Sequence, residues 1–236
     1  MQGLIVIPAY NEEGSIARTI ERVRAAHCTE HVVVVNDGSK DGTARVLDQL
    51  GVHHIDHVVN KGYVGALRTG MRHALDTGAD YMMFIDADGQ HDPNDIPRLR
   101  EVALRPGGPD IVVGSRFVHD PSYKAPLGRK AGMVLFSHMT KWVAGRRVYD
   151  TTCGFKVLNR KTIELVHDKA FGDFHAEMLI FCIVAGLTVE EVPIVVAERE
   201  TGTSMYGIAA SLKYPFKTLA AIAKLYPAAK AYKKNA

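Results

Sequence analysis

Short apolar runs recur along the chain, most of them rich in β-branched residues: Leu4 to Ala9, His31 to Val35, His54 to Val59, Tyr81 to Ile85, Asp110 to Arg116 and Thr188 to Val196. Runs of this length with little alternation read as strands buried on both faces. Between them the apolar positions change to helical spacing, first Ile16, Ile20 and Val23, then Val46, Leu47 and Leu50, then Ala66, Met71 and Ala74. Pro93 opens a further helix that runs to about Leu104. Strand and helix alternate over residues 4–116, which predicts a single α/β domain with a mostly parallel central sheet flanked by helices. Ligands of such sheets sit at the carboxyl ends of the strands.

The second half is less regular. Residues 124–145 are basic towards both ends, with Leu127, Met133, Val134, Leu135, Phe136, Met139, Trp142 and Val143 between. That pattern suits either a core helix with solvated ends or an interfacial helix whose apolar side meets lipid. Phe174 to Leu179 begins another helix, continued by Ile180, Phe181, Ile183 and Val184. From Gly207 to about Ala229 apolar residues are interspersed with lysines, and Pro215 and Pro227 are expected to interrupt any helix there. The chain therefore divides into a domain over residues 1–206 and a basic amphipathic tail over residues 207–236. The tail either attaches to a membrane or a small membrane partner, or packs on the domain.

Composition narrows the class. The 236 residues suffice for one large domain with its own core. A formal net charge of +3 is too small to imply a nucleic-acid partner. Cys28, Cys153 and Cys182 lie far apart, without a CxxC pair or clustered histidines, which argues against a zinc site or disulfide framework and for a reducing cytoplasm. No apolar segment approaches the ~20 residues that span a bilayer. The N-terminus enters a strand at once, so no signal peptide is expected.

Candidate chemistry gathers where the strands end. The Tyr81 run stops on Asp86-Ala87-Asp88-Gly89-Gln90-His91. On an extended chain Asp86 and Asp88 point to the same side, and two like charges held that close call for a cation. The oxygen donors of Asp86, Asp88 and Gln90 suit Mg²⁺ or Mn²⁺, which commonly shares its shell with substrate phosphates. A plain polar turn is the competing reading of the same residues. Asp37 sits at the end of the His31 run, where a carboxylate can accept the imide N–H of a pyrimidine or the corresponding edge of a guanine. Pro8, Ala9, Tyr10 and Glu12 line the neighbouring strand end, although Glu12 and Glu13 also suit a helix N-terminus. Lys61-Gly62 with Gly65 opens a helix after the third run, an arrangement able to hold an anion. It is not a GxGxxG fingerprint and follows the third strand rather than the first, which argues against a dinucleotide oxidoreductase.

These blocks together resemble a family 2 glycosyltransferase of the GT-A fold, in its polyprenyl-phosphate (dolichol-phosphate mannose synthase-like) branch. The resemblance rests on Pro8-Ala9-Tyr10-Asn11-Glu12, Asn36-Asp37-Gly38-Ser39, Asp41-Gly42-Thr43, Asn60-Lys61-Gly62 and Asp86 to Pro93. It continues through Gly114-Ser115-Arg116, Asp150 to Lys156, Glu191 to Ile194 and Arg199 to Ser204. It implies that Asp37, Lys61, Ala87 and the Pro8 to Glu12 segment bind the nucleotide. Asp86 would contact nucleotide and metal, while Asp88 and Gln90 coordinate a divalent ion, Mn²⁺ or Mg²⁺. Arg116 and Arg129 would bind an acceptor phosphate, with Ser137 a weaker candidate, and Arg199 would close on the donor diphosphate. Lys156 departs from the arginine common at its position, and the match between Arg129 and Asp150 is loose.

The implied reaction is inverting transfer of a hexose, of the glucose or mannose class, from a UDP- or GDP-sugar to a polyprenyl phosphate. Its implied setting is the cytoplasmic face of the membrane, held peripherally, with a small membrane protein or a second copy as a further partner. Transfer to a sugar hydroxyl of a cell-wall or capsular glycan is the alternative, and an inactive nucleotide-sugar sensor the third. Glu177 divides the first two: it is a general base if the acceptor is a hydroxyl, and an orienting group if the acceptor is already an anion.

Overall fold

The computed structural model describes residues 1–26, 29–117, 127–196 and 208–235. The strands are β1 (Gly3–Ala9), β2 (His31–Asn36), β3 (His54–Asp56), β4 (Tyr81–Phe84), β5 (Ile111–Ser115), β6 (Lys156–Asn159) and β7 (Val189–Pro193). They form one sheet in the order β3-β2-β1-β4-β6-β5-β7. The helices are α1 (Ile16–Ala25), α2 (Thr43–Gln49), α3 (Gly62–Asp76), α4 (Ile96–Leu104), α5 (Leu127–Ala144), α6 (Arg160–Val166), α7 (Ala176–Val184) and α8 (Ile208–Asn235), with a 3₁₀ turn at Pro93–Asp95.

Each expected run supplies a strand; β1 and β2 are one residue longer than expected and the other four are trimmed. All seven residues of β1 are buried, as an unalternating apolar run requires. Helix α1 buries Ile16, Ile20 and Val23, the helical spacing of the sequence, with Thr19 on the same face. β6 was not expected. It has four residues, runs antiparallel to both β4 and β5, and is the exception in an otherwise parallel sheet. Its direction matters, because its start, not its end, lies at the edge where the parallel strands finish. The sheet changes direction of growth beside β1, with β2 on one side and β4 on the other. Such a switch point leaves a crevice outside the strand ends.

α7 is buried on every side and packs against both α5 and α8. One expectation fails here. α8 runs unbroken from Ile208 to Asn235, through Pro215 and Pro227. A proline inside a helix removes one backbone hydrogen bond and crowds the carbonyl four residues earlier, at a cost of ~3 kcal/mol. Burial offsets that cost: Thr218, Ile222 and Ala229 are covered, and Leu225 and Tyr226 join Phe181 and Val184 of α7 around a small cleft. α5 carries two apolar sets. Met133, Phe136 and Met139 are buried, whereas Val134, Leu135 and Trp142 are exposed. No helix among the described residues is long and apolar enough to cross a membrane.

Candidate active site

The loops leaving β1 and β2 are sewn together. The Asn11 N–H donates to Ser39 Oγ (2.9 Å), the Lys40 N–H to Asn11 Oδ1 (2.8 Å) and the Glu12 N–H to Thr43 Oγ1 (2.9 Å). Asp41 accepts the N–H of Thr43 at the start of α2 and that of Glu13. This stitching keeps Pro8 and Ala9 in the strand and leaves Tyr10 exposed above them. The Asp37 N–H bonds to the Ala9 carbonyl (2.8 Å), which fixes Asp37 against the same strand end. Its buried carboxylate accepts from His57 Nδ1 (2.6 Å) and from the Lys61 N–H (2.8 Å), both at Oδ1. Gly38 follows with φ of +69°, and a Cβ there would lie 2.8 Å from the Asn60 nitrogen, so only glycine lets this turn pass the loop after β3. Lys61 projects from that loop and is exposed.

The turn after β4 is held from below by α1. Thr19 Oγ1 donates to the Ala87 carbonyl (2.9 Å), and Arg22 reaches the Gly89 carbonyl (3.2 Å) and Asp92 (3.3 Å). Asp88 is buried and accepts the Gln90 N–H (3.1 Å). Asp86 is partly exposed, accepts from the Tyr63 hydroxyl (3.2 Å), and has Gly154 against its other oxygen. A Cβ on Gly154 would collide with that carboxylate. His91 lies 3.7 Å from Asp86, and burial depresses its basicity. Asp86, Asp88 and Gln90 thus present oxygen donors within one turn. No three His, Cys, Asp or Glu side chains among the described residues form a self-sufficient cage. Two carboxylates without a cage fit Mg²⁺ or Mn²⁺, ions that take remaining ligands from water and substrate phosphates.

Beside Asp86 lies a polar cluster that single positions in the sequence did not reveal. The Tyr63 ring stacks on His175 (5.6 Å between centroids), and Lys156, at the start of β6, approaches His175 Nδ1 (3.4 Å) and donates to the Cys153 carbonyl. Burial lowers the Lys156 ammonium and, with Lys156 and Arg116 nearby, holds His175 well below its usual range. Burial and the charge of Asp86 raise the Tyr63 phenol well above its usual range, so it donates to Asp86 as a neutral hydroxyl. Burial pushes the Asp173 carboxyl up to about 7, opposed by Lys156 and reinforced by Glu177. Glu177 is buried, and its carboxylate accepts the N–H groups of Gly172 (3.1 Å) and Asp173 (3.1 Å) in the segment just before α7. The one signal in the sequence was Lys156 standing where arginine is common.

Arg116, at the end of β5, is paired in its own strand neighbourhood. Its Nε and Nη2 donate to the two oxygens of fully buried Asp150 (2.7 and 2.8 Å), and Nη2 also reaches Thr152 Oγ1 (2.9 Å). Ser137 is buried and accepts from Arg147 Nε (3.0 Å). Arg199 and the side chain of Arg129 lie outside the described residues. The strand ends therefore gather Tyr10, Asp37, Lys61, Asp86, Asp88, Gln90 and Arg116 along one edge of the sheet.

The family described as glycosyl transferase family 2 matches residues 4–165. The chain belongs to that family. It is a glycosyltransferase, as are named relatives that it matches over most of its length. One is an undecaprenyl-phosphate mannosyltransferase from Micrococcus luteus, 34% identical, covering 86% of this chain and 87% of the relative. Another is a polyprenol monophosphomannose synthase from Mycolicibacterium smegmatis, 30% identical over 85% of this chain and 79% of its own. Among solved structures, a glucosyl-3-phosphoglycerate synthase from Mycobacterium tuberculosis in complex with Mn²⁺, UDP-glucose and phosphoglyceric acid superposes with a TM-score of 0.69. It shares 20% identity and covers 96% of this chain and 80% of that one. At that identity the likeness is one of fold, the GT-A fold expected for family 2.

Proposed function

We propose that this glycosyltransferase moves a hexose from a nucleotide diphosphate sugar to a polyprenyl phosphate at the inner face of the cell membrane. The observation that carries the reading is the pair Asp86 and Asp88 at the switch point of the sheet, in a chain whose near-full-length relatives are named for polyprenyl-phosphate sugar transfer. Asp37 would hold the base, with Tyr10 and Lys61 beside it. Asp86, Asp88 and Gln90 would hold a divalent ion, whose charge would offset that of the diphosphate. An oxygen of the acceptor phosphate attacks the anomeric carbon as the bond to the donor diphosphate breaks, so the nucleotide diphosphate leaves and the configuration inverts. The acceptor is already an anion, so no side chain need remove a proton. Tyr63 fixes Asp86 with a neutral hydroxyl, and Glu177 spends its carboxylate on the backbone just before α7.

Docking on the membrane is assigned to α5 and α8. Trp142, Leu135 and Val134 project from α5 near Lys141, Arg146 and Arg147, while α8 exposes Leu219 with Lys217, Lys224, Lys230, Lys233 and Lys234. Apolar side chains among cations match an anionic lipid surface. The reading is tested by Glu177→Gln in a transfer assay. Turnover within a few-fold of wild type is expected for a phosphate acceptor; a collapse would favour a sugar-hydroxyl acceptor with Glu177 as base.

A further inference from the structure

His57, just beyond β3, is a buried ring with both nitrogens engaged. Nδ1 meets Asp37 Oδ1 at 2.6 Å and Nε2 meets Thr69 Oγ1 of α3 at 2.8 Å. Its own N–H bonds to the Asn36 carbonyl (2.9 Å), so backbone and ring are both fastened to β2. The His57 and Asp37 side chains are only 3% and 4% exposed, which leaves this contact shielded from solvent competition. A carboxylate accepts only, so the proton between them belongs to Nδ1, and in the neutral ring the Thr69 hydroxyl donates to Nε2. With the Lys61 N–H added, Asp37 Oδ1 carries two donors. Oδ2 receives no hydrogen bond from the described residues.

We propose that His57 is a positioning residue for nucleotide recognition, one that locks Asp37 so that a single carboxylate oxygen faces the base. This rests on the reading of Asp37 as the base contact. The chain of bonds Thr69–His57–Asp37 fixes the carboxylate plane: Oδ1 is held on the protein side, and rotation would break two hydrogen bonds at once. The ligand class is a nucleoside diphosphate whose base offers a ring N–H, as uracil and guanine do. His57 bonds to Asp37, Thr69 and the Asn36 carbonyl, so its effect is expected to reach the ligand through Asp37, at the base.

The test is calorimetric titration of the full chain with UDP, GDP and pyrophosphate, using wild type, His57→Ala, His57→Asn and Asp37→Ala. His57→Ala is expected to weaken the preferred nucleoside diphosphate by about tenfold or more, the scale of one hydrogen bond to a charged group, and to leave pyrophosphate unchanged. His57→Asn, whose amide can still donate to Oδ1, is expected to recover most of the loss. Equal weakening of pyrophosphate and nucleotide would overturn the proposal, because that is general damage to the site. Wild-type nucleotide affinity in His57→Ala alongside a loss in Asp37→Ala would also overturn it, while leaving Asp37 as the base contact. Wild-type affinity in Asp37→Ala would refute the base contact itself, and the role of His57 with it.

Discussion

Replacing Asp150 by Asn separates the structural load on Arg116 from its chemistry. Asp150 is fully buried and accepts three hydrogen bonds from Arg116: the backbone N–H (3.0 Å), Nε (2.7 Å) and Nη2 (2.8 Å). Asparagine keeps the volume but loses the charge and turns an NH₂ group towards donors. Removing one partner of a buried pair costs about 3–5 kcal/mol, because the other charge stays buried. In a domain of this size that lowers the melting temperature by roughly 6–20 °C. The double variant Arg116→Met, Asp150→Leu removes both charges and takes these partners only from the backbone N–H at position 116 and from the half-buried Thr152 hydroxyl, for about 1–3 kcal/mol. Urea unfolding followed by far-ultraviolet circular dichroism measures both. A single variant within ~1 kcal/mol of wild type, or a double variant worse than the single, would refute the reasoning.

Three further outcomes follow from the same geometry. Asp88→Ala should abolish sugar transfer with the fold retained, seen as lost turnover with an unchanged circular dichroism spectrum; normal turnover would remove Asp88 from the site. Burial makes Asp173 hold its proton up to about 7 in the folded chain, against about 3.8 for an ordinary aspartate, so unfolding between those values releases a proton. The stability it contributes is complete below about pH 4 and is lost as pH rises through 7, amounting to at most about 4 kcal/mol, and Asp173→Asn should flatten that slope in urea melts from pH 4 to 8. Trp142 is the sole tryptophan and 75% exposed, so anionic vesicles should shift its emission to the blue while neutral vesicles do so far less. An unshifted spectrum would remove α5 from the membrane face.

What could be read in the sequence was what is local. A buried strand ending on a carboxylate needs only a handful of adjacent residues, and Asp37, Asp86 and Asp88 stand where those runs predicted, on one sheet edge. β6 escaped because Lys156 to Asn159 is too short to show a period and takes its identity from β4 and β5 on either side. α8 was misread because proline speaks for local propensity, whereas its packing on α7 is tertiary. The cluster of Tyr63, Lys156, Asp173 and His175 and the Asp37–His57–Thr69 chain were invisible for the same reason. Their members are scattered along the chain, and apart from Lys156, which stands where arginine is common, none is unusual alone. Arg116 was legible as a strand-end cation but not as the partner of Asp150, 34 residues later.

The most direct measurement is transfer itself: wild-type protein with UDP- and GDP-hexoses, Mn²⁺ or Mg²⁺, and a short-chain polyprenyl phosphate, scoring released nucleotide and lipid-linked sugar together. Stoichiometric release of nucleotide and appearance of lipid-linked sugar with one donor is the predicted result. Nucleotide release without lipid-linked product, or product only when a glycan hydroxyl is supplied, would contradict the assignment of a polyprenyl phosphate as acceptor.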